Sequence, residues 1–106
     1  MTVVREELGE ATGYELITPT GVTGITSTLI TPTSGIYKGF PAKAVLITVE
    51  AYAVRFRCDG SDPSATTGHV IAKDDSYILV GTPNLTNLRF RDTGTGASNV
   101  LVTVFH

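Results

Sequence analysis

At 106 residues, with 42% hydrophobic and 17% charged side chains, the chain can build one modest core and is too apolar to be disordered. A formal net charge of −2 excludes a general electrostatic pull toward nucleic acid or an anionic membrane. One cysteine excludes an intrachain disulfide, and no apolar run approaches the roughly 20 residues of a membrane helix.

In chain order, Met1 to Glu15 is an acidic lead, with Glu6, Glu7, Glu10 and Glu15 against Arg5 alone. It has no cationic segment ahead of an apolar core, so no secretory leader is expected. Gly9 and Gly13 discourage a long helix. The bland reading is a solvated terminus; the sharper one is an arm that orders only against a partner. Next, Leu16-Ile17-Thr18-Pro19-Thr20-Gly21 is echoed by Leu29-Ile30-Thr31-Pro32-Thr33-Ser34-Gly35. Two copies are too few for a repeat architecture. They read as extended segments stopped by Thr-Pro, because proline cannot donate to a sheet ladder. Between them, Val22, Ile25 and Leu29 are placed to pack onto a sheet. Ile36 to Lys43 reads as a linker whose Tyr37 and Phe40 cover a sheet edge. Residues 1–43 thus form an arm and extended segment, and residues 44–106 the core of a single domain.

From Ala44 to Ala51 β-branched residues dominate and apolar side chains fall on both parities, which predicts a strand covered on both faces at one end. Val54, Phe56 and Cys58 then alternate with Arg55 and Arg57, so the arginines face outward. Asp59-Gly60-Ser61-Asp62-Pro63 is turn chemistry. Short strands are predicted over Gly68–Ala72, Tyr77–Val80 and Asn99–Phe105, with a single helical turn at Leu85-Thr86-Asn87. Leu88 and Phe90 point inward, Arg89 and Arg91 outward. Strands spaced near ten residues predict an all-β fold: a compact antiparallel sandwich or small barrel with an irregular N-terminal third. The expected core is Val45, Ile47, Val49, Val54, Phe56, Val70, Leu79, Leu88, Phe90, Val102 and Val104.

The run Val54-Arg55-Phe56-Arg57-Cys58-Asp59-Gly60-Ser61-Asp62-Pro63, followed by Gly68-His69, resembles a pattern in small structural proteins of tailed bacteriophages. Leu88-Arg89-Phe90-Arg91 and the terminal Leu101–Phe105 match later parts of that pattern, so the resemblance covers roughly residues 44–106. It implies a virion part rather than an enzyme: most simply a capsid cement or decoration protein on the capsid exterior, made in the bacterial cytoplasm. A neck or tail component is the alternative. The same resemblance implies the major capsid protein as partner. Other copies of the chain, in a symmetric trimer, are expected from the residues: so small a domain offers little area against the roughly 1,200–2,000 Å² of a stable interface, and the acidic arm Met1 to Glu15 is complementary to the stripe of Arg55, Arg57, Arg89 and Arg91. A carbohydrate-binding module is a further alternative suggested by the Asp-Gly-Ser-Asp-Pro turn, but the chain has no Trp and only 4 Tyr to supply sugar platforms.

Catalytic and metal signatures are weak. Asp59, Asp62, Asp74 and Asp75 match no EF-hand spacing, and Asp before Gly or Ser is ordinary in turns. Cys58, His69 and His106 are scattered, and Cys58 lies on the apolar parity of its strand, so neither zinc nor a Cys–His nucleophile is expected. No cofactor is expected. One charge pattern stands out: Arg55, Arg57, Arg89 and Arg91 are four of the 8 Lys and Arg, all on outward parity. Arginine makes bidentate contacts to carboxylates, so this stripe suits an acidic surface. The residues expected to contact a partner are therefore Arg5, Glu6, Glu7 and Glu10 of the arm, and Arg55, Arg57, Arg89 and Arg91. Nucleic acid fits less well, because no outward-facing aromatics interleave with the arginines for base stacking; Phe56 and Phe90 lie on the inward parity.

Overall fold

In a computed structural model of the chain, residues 9–106 are described. Arg5, Glu6 and Glu7 lie outside the described residues. The strands are β1 (Ala11–Ile17), β2 (Thr23–Gly24), β3 (Ala44–Glu50), β4 (Val54–Arg57), β5 (His69–Ile71), β6 (Ser76–Val80), β7 (Arg89–Asp92) and β8 (Asn99–Phe105). Two single-turn helices, α1 (Ser27–Ile30) and α2 (Thr82–Asn87), join them. The first sheet runs β1-β8-β3-β6 and the second β2-β7-β4-β5. Every pairing is antiparallel. The fold is the antiparallel sandwich, two separate sheets rather than a closed barrel.

The core lies between the sheets and follows the alternation of the strands. Val45, Ile47 and Val49 of β3, Val54 and Phe56 of β4, and Val100, Val102 and Val104 of β8 are all buried there. Phe90 closes it from β7, Leu85 from α2, and Leu88 from the junction between them. The two-sided apolarity at the start of β3 has its cause in a second small cluster: Ala44 and Phe105 are buried, with Leu46 and Ile78 packed on them.

Four expectations need correction. The acidic lead was expected to stay off the core as far as Glu15. Instead β1 starts at Ala11 and pairs along β8 from Ala11↔Phe105 to Ile17↔Val100. The carboxylates do not prevent this, because β1 is an edge strand and its acids have uses. Glu10 exchanges backbone hydrogen bonds with His106, and the Glu15 carboxylate accepts from the Thr26 amide and hydroxyl. Val70, expected in the core, is 53% exposed, while its neighbour Ile71 is buried. The β4–β5 register sets this phase: Ile71 lies opposite the buried Val54, and Val70 opposite the outward Arg55. Leu79 is only partly buried at the margin of the core. In the Thr/Pro/Gly-rich segment, Ile25 is buried and Leu29 packs on the core, whereas Val22 is exposed.

Candidate interaction surface: the arginine face

The outer face of the second sheet brings the four arginines together. Strand β4 pairs β7 with Arg55 opposite Arg91 and Arg57 opposite Arg89. The two Arg-x-Arg segments therefore form a two-by-two grid, all four side chains partly exposed. Like charges directly opposite on a sheet are destabilising, so such a grid needs local compensation. Each row contains it. Arg57 is paired to Asp59 at 2.5 Å, and Arg91 to Asp92 at 3.0 Å. Arg55 and Arg89 donate to neutral carbonyls instead: Arg55 to Ala65 at 3.1 Å and Gly68 at 2.8 Å, Arg89 to Thr86 at 3.0 Å and Leu88 at 2.7 Å. Among the described residues, the two arginines without a carboxylate are thus diagonal, one in each row.

The loops support this arrangement. Asp59 sits two residues past β4, and the turn returns the Ser61 amide to its carboxylate at 3.2 Å. The Arg57 guanidinium, and next the Ser61 amide, hold the Asp59 carboxyl down at about 2 from an ordinary 3.8. The same contact, led by its hydrogen bond, raises the pKa of Arg57. Gly24 of β2 lies beside Arg89, and a Cβ there would stand 2.8 Å from Arg89 Nη1. A side chain there would make the Arg89 guanidinium shift from its place across that edge. Val70, beside Arg55 in the β4–β5 register, adds an apolar rim. The grid can accept carboxylates or other anionic oxygens through the guanidinium N–H groups left over.

The other candidate residues are dispersed. Glu10 is at the start of β1 in the opposite sheet, away from the grid. Cys58 packs on the edge of the core, and His69 lies beside the Phe56 ring at 5.4 Å. His106 is held at the other end of the chain, between the Thr12 hydroxyl and the Ile30 carbonyl, with the Tyr37 ring stacked on it at 4.8 Å. Among the described residues no group of His, Cys, Asp or Glu is disposed to hold a metal ion.

Sequence reasoning missed one feature. Ile36, Tyr37, Phe40, Pro41 and His106 line an open apolar groove of about 300 Å³. The Tyr37 phenol there is pushed above its ordinary value, first by desolvation and then by the Glu10 carboxylate. The signal available was Ile36 and Phe40, two large apolar residues in a glycine-containing linker. Comparison with known proteins gave no matching family model, curated protein or solved structure.

Proposed function

We propose that the chain is a non-catalytic structural protein that binds an acidic protein surface through its arginine face. Its setting is the one the phage resemblance implies: a virion component, as a cement or decoration protein on the outside of a capsid. The observation that carries the binding role is the two-by-two arginine grid, in which each row keeps one arginine without a carboxylate partner among the described residues. A fold that only needed a solvated face would gain from separating these charges. The neck or tail reading uses the same surface at a different place on the particle.

The test has two arms. Particles purified from the source of the chain are imaged by cryo-electron microscopy with the chain labelled. Signal at every three-fold or quasi-three-fold position supports a cement protein, signal at one vertex supports a neck or tail part, and absence from every particle overturns the virion reading. In binding assays, Arg89→Glu with Arg91→Glu is expected to weaken attachment at least about tenfold, since charge-assisted hydrogen bonds contribute roughly 1.5–3 kcal/mol. Attachment of the unaltered chain should also weaken as salt rises. Attachment unchanged by both the substitutions and salt would remove the arginine face from the mechanism.

A further inference from the structure

We propose that β6 is a self-pairing edge, and that two copies of the chain join there across a two-fold axis to make one continuous eight-stranded sheet. The argument begins with which backbone groups of β6 are already used. In the β3–β6 register Thr48 lies opposite Ser76, Ile47 opposite Tyr77, Leu46 opposite Ile78 and Val45 opposite Leu79. The Val49 amide donates to Asp75 at 3.1 Å, and Gly81 donates to the Lys43 carbonyl at 2.8 Å. Antiparallel ladders alternate, so the residues of β6 bonded to β3 are Tyr77 and Leu79, in phase with Asp75 and Gly81. Ser76, Ile78 and Val80 therefore turn their N–H and C=O groups away from the sheet.

Two of those outward groups are closed by side chains. The Ser76 amide donates to Asp75 Oδ1 at 2.9 Å, and the Val80 carbonyl accepts from Asn84 Nδ2 at 2.9 Å. What remains open among the described residues is a short window: the Ile78 N–H and C=O, the Ser76 C=O and the Val80 N–H. This set is self-complementary. With Ile78 opposite Ile78 of a second copy, each Ile78 N–H meets the other Ile78 carbonyl. Each Val80 N–H then meets the Ser76 carbonyl of the other copy. The two closed groups fall opposite one another, where the ladder ends.

The other edges are protected by the devices that commonly block such pairing. Strand β1 carries Glu15 and a register shift between Ala11 and Gly13. Strands β2 and β5 have 2 and 3 residues. Strand β6, Ser-Tyr-Ile-Leu-Val, has no charge, proline, glycine or bulge, and its Val80 is 60% exposed. Because the strand is uncharged, two copies meet without like-charge repulsion. In the paired register the acidic Asp74 and Asp75 of one copy face the neutral Thr82 and Gly81 of the other. A second copy of this chain is the partner whose hydrogen-bonding groups fit this window. The pairing is independent of the arginine face, which belongs to the other sheet.

Sedimentation equilibrium of the full chain, from about 10 µM to about 1 mM, reads the association. The range is high because a ladder this short buries less than the roughly 1,200–2,000 Å² of a stable interface. The expected result is a monomer–dimer equilibrium that persists in high salt. The amide exchange of Ile78 and Val80 should slow as concentration rises. Ile78→Pro removes the central donor without touching the β3 ladder, and proline is tolerated where an edge N–H faces solvent. It is expected to weaken dimerisation at least about tenfold while circular dichroism is unchanged. Because Ile78 also packs on Ala44 and Phe105, a variant that folds poorly is replaced by Val80→Pro, which removes the two outer donors of the ladder at an exposed position and should weaken dimerisation in the same direction. A chain that is monomeric throughout, a trimeric mass, or dimerisation undiminished in the folded variants would overturn the proposal.

Discussion

Ser98 has no charge and makes no contact with the arginine face, yet it holds a strained turn. It is fully buried, and its hydroxyl lies 2.5 Å from both the Glu50 and Tyr52 carbonyls. Between those carbonyls sits Ala51 at φ 77, a region that costs a non-glycine residue energy. One hydroxyl has one proton, so the two carbonyls share it. Ser98→Ala is expected to cost about 0.5–1.5 kcal/mol in urea unfolding, because it removes the hydroxyl that ties the two carbonyls across the turn, while the Glu50 carbonyl keeps the Tyr52 amide as donor. An unfolding midpoint equal to that of the unaltered chain would mean water replaces the hydroxyl. At the surface, Asp59 makes a second prediction. Its carboxyl is held at about 2 rather than 3.8, a depressed value, so the Arg57–Asp59 pair stabilises the fold above the ordinary value. That contribution fades as pH falls from 3.8 toward about 2, when Arg57 and Arg89 face each other without a carboxylate. A carboxyl titration followed by NMR should show the low midpoint. A midpoint at 3.8 or above would show that the pair does not form in solution.

At the scale of elements, β3, β4, β7 and β8 were legible because each alternates cleanly or runs apolar, with its turn formers at the ends. The arginine grid was legible for the same reason: two Arg-x-Arg segments need only be neighbours, and β4 pairs β7. Strand β1 was not legible, because its charge masked its alternation. Its inward Ile17 is followed by a buried Pro19, while Tyr14 and Leu16 face out. Strand β5 was found but read one residue out of phase, since Val70 and Ile71 are adjacent β-branched residues and only the pairing with β4 decides which faces in. The β6 edge could not be read at all, because which strand ends a sheet is a property of topology rather than of local pattern. The phase of β5 is directly testable. Ile71→Ala should cost about 2–5 kcal/mol and Val70→Ala less than about 0.5, the reverse of the sequence-based expectation. Phe56→Ala, which empties the centre between the sheets, should cost roughly 3–5 kcal/mol.

For the whole molecule, the two proposed contacts combine through symmetry. A two-fold axis relating antiparallel edge strands stands perpendicular to their sheet, so both copies keep the same face on the same side. Pairing through β6 therefore leaves two arginine grids pointing in one direction, on the far side of the sandwich from the joined sheet. A dimer of this form is suited to a surface that repeats, because the second grid binds at a high effective concentration once the first has seated. Against a single soluble acidic partner the second grid adds nothing. The expected outcome is a separation of effects between two variants. Ile78→Pro should weaken binding to an assembled, repeating shell by about a hundredfold or more, and leave binding to one isolated shell subunit unchanged. Arg89→Glu with Arg91→Glu should weaken both and leave the dimer intact, since the grid and the edge lie on different sheets and share no partner. Surface plasmon resonance against immobilised shells and against isolated subunits, paired with sedimentation of each variant, measures all of these terms. Equal loss of shell and subunit binding in Ile78→Pro would mean that the edge strand acts on the arginine face by distorting the fold. Equal affinity of the unaltered chain for shell and subunit would mean that the two grids of a dimer cannot reach neighbouring sites together.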